Sequence, residues 1–310
     1  MDALAELLDG VRARGALFGR SVMDPPWALR FAADAPLTLT TMLRGSGWVV
    51  PGEGEPVPLG PGDVAVVRGP APHTVADDPG TRPQYLITRA EYCATADGSP
   101  ADITLAPRTC GPNPDGSALL LSGAYDGRSG VGERLLRALP GVLVVPGDAD
   151  LLERVAREVA SDRPGQQVVL DRLLDVLLLT ALRSWFDRPG ADAPGWYRAL
   201  ADPVVGRALR LLHDHPAHPW TVAGLAARTG LSRAAFARRF TEQVGEPPMA
   251  YLAGRRIDAA ADLLRSTDAT VESVARRVGY ANAFALSVAF KRLRGVPPAA
   301  YRAAPDRRAG

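Results

Sequence analysis

The sequence predicts an α+β protein with a β-rich N-terminal part, connecting helices and an all-α C-terminal part. Short apolar runs separated by Gly/Pro turns fill residues 16–145, a pattern typical of a β-sandwich or barrel. Between residues 149 and 187, the apolar residues instead recur with the period of an α-helix. A repeated helical pattern follows the RPGADAPG segment at 188–195. With 310 residues, the chain is long enough for two domains.

The composition is that of an ordinary globular protein. Hydrophobic residues make up 46% of the chain and charged residues 23%, which suffices for a core. The chain has no run of about 18 apolar residues that would span a membrane. The acidic, amphipathic N-terminus lacks the basic head of a secretory signal. Cys93 and Cys110 are too few for a disulfide scaffold. These features predict a cytoplasmic protein with no membrane partner.

Residue types that several enzyme classes require are missing. Lys291 is the only lysine, so no Gly-x-x-x-x-Gly-Lys-Ser/Thr loop exists, and a Schiff base would need that one residue. The sequence also contains neither H-E-x-x-H nor G-x-S-x-G. We therefore expect no catalytic residues.

Two helices are predicted between the β-rich and the C-terminal parts. The segment DADLLERVAREVASD opens with an acidic cap, and QQVVLDRLLDVLLLTALRSWF is a long apolar helix. Its VLLLTAL stretch is apolar nearly all the way round, so it needs cover on several sides. Either it packs against a second copy of the chain in a homodimer, or it is buried within its own chain.

The C-terminal part contains an internal repeat. TVAGLAARTGLSRAAFARRFTEQVGEPPMAYL begins at Thr221, and TVESVARRVGYANAFALSVAFKRLRGVPPAAYR begins at Thr270. Several positions match at an offset of 50: Phe236 and Leu286, Phe240 and Phe290, Gly245 and Gly295, Pro247-Pro248 and Pro297-Pro298, and Tyr251 and Tyr301. The match predicts two copies of one helical unit.

Each copy has the features of a helix-turn-helix. Thr221 and Thr270 are typical N-caps, because a hydroxyl there accepts a hydrogen bond from a free backbone N–H group. Gly230 and Gly279 lie where the first helix of each copy ends, and glycine adopts a left-handed backbone without strain. Ser232 caps the second helix of the first copy.

The charge distribution indicates a polyanionic partner. Residues 196–310 contain 18 Lys+Arg and 9 Asp+Glu, whereas residues 1–195 contain 18 and 25. A basic surface binds nucleic acid because neutralising the phosphates releases counterions. We therefore expect double-stranded DNA as the partner of the C-terminal part.

The C-terminal part resembles the DNA-binding domain of the AraC/XylS family of bacterial transcription regulators. The resemblance rests on A-x-x-x-G-L-S ending at Ser232, RRIDAAADLL from Arg255, G-Y from Gly279 and A-F-K-R-x-x-G-V-P-P from Ala289. It implies two helix-turn-helix units joined by a rigid helix at about residues 249–265. Their second helices would enter successive major-groove segments, roughly 34 Å apart.

Helical geometry selects the residues of the first reading helix that face DNA. With Phe236 and Phe240 buried, Ala234, Arg238 and Glu242 lie on the opposite side. Arg238 is the expected base-reading residue, because arginine forms two hydrogen bonds with guanine. Three residues flank that face and are expected to contact phosphate: Arg233, Arg239 and Thr241.

The second reading helix differs from the first. With its apolar stripe buried, the outward residues are Phe284, Val288 and Arg292, with Ser287 at the margin. Relatives commonly carry arginine in place of Val288, and apolar side chains sense only thymine methyls or DNA shape. We expect the first unit to supply most discrimination. The alternative for Phe284 is that it packs inside the domain. The second unit would mainly anchor the domain through three cationic residues: Lys291, Arg292 and Arg294.

The N-terminal part resembles a cupin. The segment LGPGDVAVVRGPAPHTV at 59–75 has a Gly-Asp turn, a strand, a proline and a histidine at the start of the next strand. With the surrounding strands, it is similar to the cupin-type ligand-binding β-barrel upstream of many AraC-family repeats. His73 is the only histidine before residue 213, so the converging His/Glu ligands of an active metal cupin are missing.

Three residues of this part are candidates for a further site: His73, Cys93 and Cys110. As a mixed set they would hold zinc if the fold brings them together. Alternatively, the two cysteines are a thiol pair that responds to oxidants or electrophiles, or all three residues only pack. The sequence leaves these alternatives open.

The whole sequence predicts a transcription regulator with three parts. They are a cupin-like sensor domain at 1–147, linker and dimerisation helices at 148–195, and a double helix-turn-helix domain at 196–310. An unknown small-molecule effector or a redox change would control operator binding, and an activator would also contact RNA polymerase. The alternatives are a cupin-fold enzyme with a DNA-binding module, and an architectural DNA binder that needs no ligand.

Overall fold

Strands occupy the N-terminal half of the chain and helices the C-terminal half. The computed structural model describes residues 17–88, 94–96, 103–106, 108–125, 136, 139–191 and 193–303. The chain divides into two compact units. Within the described residues, one unit contains 17–125, 136 and 139–191, and the other contains 193–303.

The strands of the described residues form two sheets. They are β1 (Leu17–Met23), β2 (Ala28–Phe31), β3 (Leu37–Arg44), β4 (Gly47–Pro51), β5 (Val57–Leu59), β6 (Asp63–Arg68), β7 (His73–Ala76), β8 (Tyr85–Ile87), β9 (Ala94–Thr95), β10 (Thr104–Ala106), β11 (Thr109–Cys110), β12 (Ala118–Tyr125) and β13 (Val142–Pro146). The seven-stranded sheet has the order β10-β11-β1-β12-β3-β6-β13, and the six-stranded sheet has the order β5-β4-β7-β2-β8-β9.

The facing sides of the two sheets share one apolar core. Met42 and Leu120 of the seven-stranded sheet pack with Leu29, Val49 and Val75 of the six-stranded sheet, because alternate residues of each strand point inward. Among the described strands neither sheet closes on itself. The β-rich part is therefore a two-sheet sandwich, which agrees with the predicted cupin-like fold class, and its described strands do not close into a barrel.

Two helices cover the other face of the seven-stranded sheet. They are α1 (Ala149–Val159), capped by Asp148, and α2 (Gln166–Phe186). Tyr125 on β12 points away from the sandwich core, and its hydroxyl donates to the Leu174 carbonyl of α2 at 2.7 Å. The buried side of α2 thus packs within its own chain, through Leu170, Leu174, Leu177, Leu178 and Leu182. Three valines of the same helix are exposed: Val168, Val169 and Val176.

The second unit is entirely helical in the described residues. Its helices are α3 (Gly195–Ala199), α4 (Val205–Asp214), α5 (Val222–Thr229), α6 (Arg233–Val244), α7 (Pro248–Ser266), α8 (Val271–Arg277), α9 (Ala283–Arg294) and α10 (Pro298–Ala303). With 19 residues, α7 is about 28 Å long at 1.5 Å per residue. Its bounds confirm the joining helix predicted at 249–265. No helix of the described chain combines the length and apolar character that a membrane span requires.

Candidate nucleic-acid interface

The first helix-turn-helix consists of α5 and α6. The Thr221 hydroxyl caps α5 by accepting a hydrogen bond from the Gly224 N–H at 3.0 Å. The Ser232 hydroxyl caps α6 in the same way, with the Ala235 N–H at 3.2 Å. Gly230 ends α5 with a φ of 74°, a conformation that favours glycine. The predicted caps and turn are confirmed.

The two faces of α6 separate as the helical geometry predicts. Phe236 and Phe240 are fully buried, with ring centroids 5.8 Å apart. The opposite face is exposed, and the Arg238 side chain is 78% accessible. Its Nε lies 3.8 Å from Glu242 Oε1, so this exposed ion pair contributes little energy. Arg233 and Ala234, in the first turn, are exposed as well.

Arg239 has a different position from the one expected. Its guanidinium donates to Asp202 Oδ2 at 2.6 Å, and Gln243 Nε2 donates to the same oxygen at 2.8 Å. The other Asp202 oxygen accepts from the Val204 and Val205 N–H groups, each at 2.9 Å. Burial alone would raise the pKa of Asp202, but the hydrogen bonds, led by that of Gln243, hold it well below its usual range. Arg239 therefore anchors α6 rather than lying free on its surface.

Thr241 also makes a contact within the domain. Its hydroxyl donates to the Ala237 carbonyl one turn earlier, at 2.9 Å. The side chain is half-buried. An acceptor lone pair remains on the oxygen, but its proton is used within α6.

The second helix-turn-helix consists of α8 and α9. The Thr270 hydroxyl caps α8 and accepts from the Ser273 N–H at 3.2 Å, as predicted. Sequence reasoning missed the cap of α9. Asn282 Oδ1 accepts from the Ala285 N–H at 2.9 Å, and Glu272 Oε2 accepts from the Ala283 N–H at 2.8 Å. Asparagine is a strong N-cap, so the signal for Asn282 was present in the sequence.

The outward face of α9 is apolar where that of α6 is polar. Leu286 and Phe290 are fully buried, whereas Phe284 is 79% exposed and Val288 is 55% exposed. Phe284 therefore does not pack inside the domain. Ser287, between these two residues in sequence, is half-buried. Lys291 and Arg292 are exposed in the last turn of the helix.

The Arg294 side chain is paired with an aspartate inside the domain, unlike the exposed phosphate anchor that we expected from the sequence. The side chain is 9% exposed, and one guanidinium nitrogen lies 2.9 Å from Asp258 Oδ1, on a side chain that is 6% exposed. The guanidinium also lies 5.8 Å from the centroid of the Tyr301 ring. Arg294 therefore joins α9 to α7 and α10 inside the domain.

His73 lies inside the sandwich unit. The residue is 6% exposed, and its ring stacks on Phe31 with centroids 4.9 Å apart and planes 4° from parallel. Its Nε2 has no hydrogen-bond partner among the described residues. Burial lowers the pKa of His73 to about 4, so the ring is neutral at pH 7.

The predicted set of His73 with two cysteines is not assembled by the described residues. Cys110, on β11, is disulfide-bonded, and Cys93 lies outside the described residues. No group of three or more His, Cys, Asp or Glu side chains in the described part is arranged to hold a metal ion. A disulfide sulfur is not a thiolate ligand, so zinc binding would require reduced cysteines and remains a prediction.

Two protein families match the two parts of the chain. The family described as "Cupin" matches residues 2–187, and the family described as "Helix-turn-helix domain" matches residues 225–304. A putative AraC-like transcription regulator of Streptomyces lividans is 34% identical, covering 98% of this chain and 99% of the relative. The HTH-type transcriptional regulator AlkR of Acinetobacter baylyi is 28% identical, and the match covers 97% of this chain and 99% of AlkR. The solved DNA-binding domain of AdpA, the global transcriptional factor, in complex with a target DNA is 38% identical to the matched part of this chain. The match covers 34% of this chain and 93% of the AdpA chain, with a TM-score of 0.32.

A sheet-rich cupin-type domain followed by two helix-turn-helix units defines a DNA-binding regulator. The chain belongs to the AraC-like transcription regulators. It is thus a regulator rather than an enzyme, and its helix-turn-helix domain binds double-stranded DNA.

Proposed function

We propose that the chain binds its operator as a cytoplasmic homodimer and that the sandwich unit controls this binding in response to a signal. The observation that supports this DNA-binding geometry is that α6 and α9 each have one buried face and one exposed face. Each buries one apolar stripe and presents the opposite face to solvent. These faces would enter successive segments of the major groove.

In the first unit, we infer that Arg238 reads guanine. Its present partner is an exposed glutamate at 3.8 Å, a weak pair that bidentate bonds to a base would replace at little cost. Arg233, Ala234 and Thr241 would line the groove and contact phosphate or sugar. Arg239 would position α6 through Asp202, without touching DNA.

In the second unit, Lys291 and Arg292 would hold the phosphate backbone, and Phe284, Ser287 and Val288 would face the bases. This assignment leaves sequence discrimination mainly to the first unit. Arg294 takes no part in it, because its charge is paired inside the domain.

Titration of full-length protein onto DNA fragments that it captures from genomic DNA tests this proposal. We expect Arg238→Ala to weaken binding strongly. Arg154→Ala, which removes the same charge from the exposed surface of α1, should leave binding unchanged. Equal losses in the two variants would overturn the interface.

We infer that the homodimer forms through α2. Although one side of this helix packs on the sandwich, Val169 and Val176 are exposed on the other side. They lie seven positions apart with the half-buried Leu173 between them, so the three share one helical face. We expect Val176→Asp to shift the protein to monomer in sedimentation, and an unchanged mass would contradict the interface.

Two features of the sandwich unit lie next to α2, and each is a candidate site for receiving the signal. A cavity of about 270 Å³ lies between α2 and strands β6 and β13, just below the range of about 300–1,000 Å³ that is typical of small-molecule sites. Val64, Val145, Leu177 and Ala181 form its apolar walls, and Asp148, Thr180 and Ser184 supply polar groups. A small molecule bound there would contact the helix proposed to form the dimer.

The second feature is the strand that carries Cys110. Arg108, just before β11, has a φ of 56°, and its guanidinium donates to Gln167 Oε1 of α2 at 2.6 Å. Gln167 Nε2 in turn donates to Asp171 Oδ1 at 2.7 Å. Reduction of the Cys110 disulfide by a dithiol would move two electrons and two protons to the sulfurs, and would release this strand next to α2.

Operator affinity measured with and without a dithiol, and with a library of small molecules, distinguishes these signals. Cys110→Ser should abolish a thiol response, and Ser184→Phe should abolish a response through the cavity. A protein whose affinity changes under neither condition would instead be an architectural binder. Promoter-dependent transcription in the presence of RNA polymerase would show whether it is an activator.

A further inference from the structure

We propose that α9 recognises the C5-methyl group of pyrimidine bases. The second half-site, by which we mean the major-groove segment that α9 of one chain contacts, would then be selected by methyl groups rather than by hydrogen bonds to base edges. Either thymine or 5-methylcytosine could carry the methyl group. This inference rests on the proposed function, since α9 must enter the major groove.

The repeat allows the two reading faces to be compared position by position. At the offset of 50, Phe284 corresponds to Ala234, Val288 to Arg238 and Arg292 to Glu242. The position that holds the exposed arginine of α6 therefore holds an exposed valine in α9.

Phe284 and Val288 form one continuous apolar surface. They are four residues apart, so their side chains lie on the same face of the helix. Both are among the large hydrophobic residues of the described chain that are exposed. Burial of this surface in a partner would be favourable because it removes apolar area from water.

The rest of α9 indicates which partner covers this surface. The helix contains no Asp or Glu, and Lys291 and Arg292 extend the exposed face by one turn. A surface that is apolar at one end and cationic at the other complements a DNA groove, where bases lie between phosphate backbones. A protein partner with an acidic or an apolar surface would not require apolar and cationic residues together on a helix that has the position of a DNA-reading helix.

The first turns of α9 also lack the groups that read base edges by hydrogen bonds. Of the residues from Ala283 to Val288, only Ser287 carries a polar side chain, and it is half-buried. In the major groove, the apolar feature available to Phe284 and Val288 is the thymine C5-methyl. A 5-methylcytosine carries the same group at the same ring position, so α9 should accept either base at a contacted position.

The test uses full-length protein and a duplex that it selects from a randomised pool. Each thymine of the second half-site is replaced by uracil, which removes only the methyl group. We expect about a fourfold weaker affinity per contacted thymine, the value for burial of one methyl-sized group. At the same positions, 5-methylcytosine opposite guanine should bind better than unmethylated cytosine by a similar factor.

Variants separate methyl contact from DNA shape. The double variant F284A/V288A should bind thymine and uracil duplexes equally, and its fold should be intact because both side chains are exposed. Circular dichroism melting checks the fold. The Arg238→Ala variant is the matched control and should keep the full preference for thymine in the second half-site.

Several results would overturn the proposal. They are equal affinity of the parent protein for thymine and uracil duplexes, a uracil effect that persists in F284A/V288A, and a selected second half-site without thymine. Normal operator binding by F284A/V288A would assign the apolar face to a protein partner instead. A parent protein that selects no duplex at all would refute the proposed function as well.

Discussion

The two reading helices, α6 and α9, share their internal construction and differ at their surfaces. Each has 12 residues, begins at a side-chain cap and ends at a glycine with positive φ. Each buries two apolar residues at a spacing of four, Phe236 with Phe240 and Leu286 with Phe290. One set of residues therefore builds the helix-turn-helix, and a separate set is left to select DNA.

The ion pairs that anchor the two reading helices within the domain also differ. In the first unit, Asp202 and Arg239 form an ion pair with side chains that are 12% and 41% exposed. In the second unit, the side chains of Asp258 and Arg294 are only 6% and 9% exposed. Loss of a partner should be more costly where the remaining charge stays out of water.

The largest effect should come from Asp258→Ala. It leaves the buried Arg294 guanidinium without its carboxylate, so the free energy of unfolding should fall by about 3–5 kcal/mol. Urea denaturation followed by circular dichroism measures this change. Asp202→Ala is the matched variant in the first unit and should cost clearly less. Equal losses would remove the difference between the two anchors.

Arg238→Ala should have the next largest effect. Loss of a bidentate base contact weakens operator binding by about 1–3 kcal/mol. The preference for guanine at one position of the first half-site should disappear as well. Val288→Ala, at the matching position of α9, should leave that preference intact. Fluorescence anisotropy with single-base operator variants measures both, and a uniform loss across all bases would make Arg238 a phosphate contact.

The anchor of α6 should be sensitive to acid. The pKa of Asp202 is lowered from 3.8 in the folded state, so its carboxylate contributes stability above that pH and loses it as the pH falls below. Unfolding midpoints between neutral and strongly acidic pH should therefore drop more steeply for the parent protein than for Asp202→Asn. Parallel pH profiles would show that this ion pair does not stabilise the unit.

Lys291→Ala should have the smallest effect. A phosphate contact carries no sequence information, so affinity should fall by a similar, modest factor on every duplex, and the salt slope should decrease by about 1. Titrations at several salt concentrations measure this slope. A change in base preference would instead place Lys291 among the base-reading residues of α9.

Local signals made the helix-turn-helix units predictable. The caps Thr221, Ser232 and Thr270 act within three residues of sequence, and the buried stripes follow from helical periodicity. Helical periodicity also predicted the outward faces of both reading helices, including the exposed Phe284, whereas the bounds of α7 followed from the family resemblance.

Long-range partners set the limit of that prediction. A helical projection sorts side chains into inner and outer faces but does not show that Arg239 meets Asp202, 37 residues away, or that Arg294 meets Asp258, 36 residues away. The choice between sandwich and barrel likewise depends on which strands lie at the sheet edges, which strand patterns alone do not reveal. The sequence also left open whether Cys110 is a thiol or is disulfide-bonded.

The unbroken helix α7 has a consequence for the spacing of DNA sites. A continuous helix of 19 residues that begins with Pro248 has no break in its secondary structure, so we expect it to fix the separation and phase of the two reading helices. One inserted base pair moves a groove by about 3.4 Å and rotates it around the duplex, since a turn has 10–10.5 base pairs over 34–36 Å. We expect the protein to discriminate between duplexes whose two contacted groove segments differ in spacing by one base pair. On a duplex with altered spacing, we expect the DNA to bend while α7 keeps its shape.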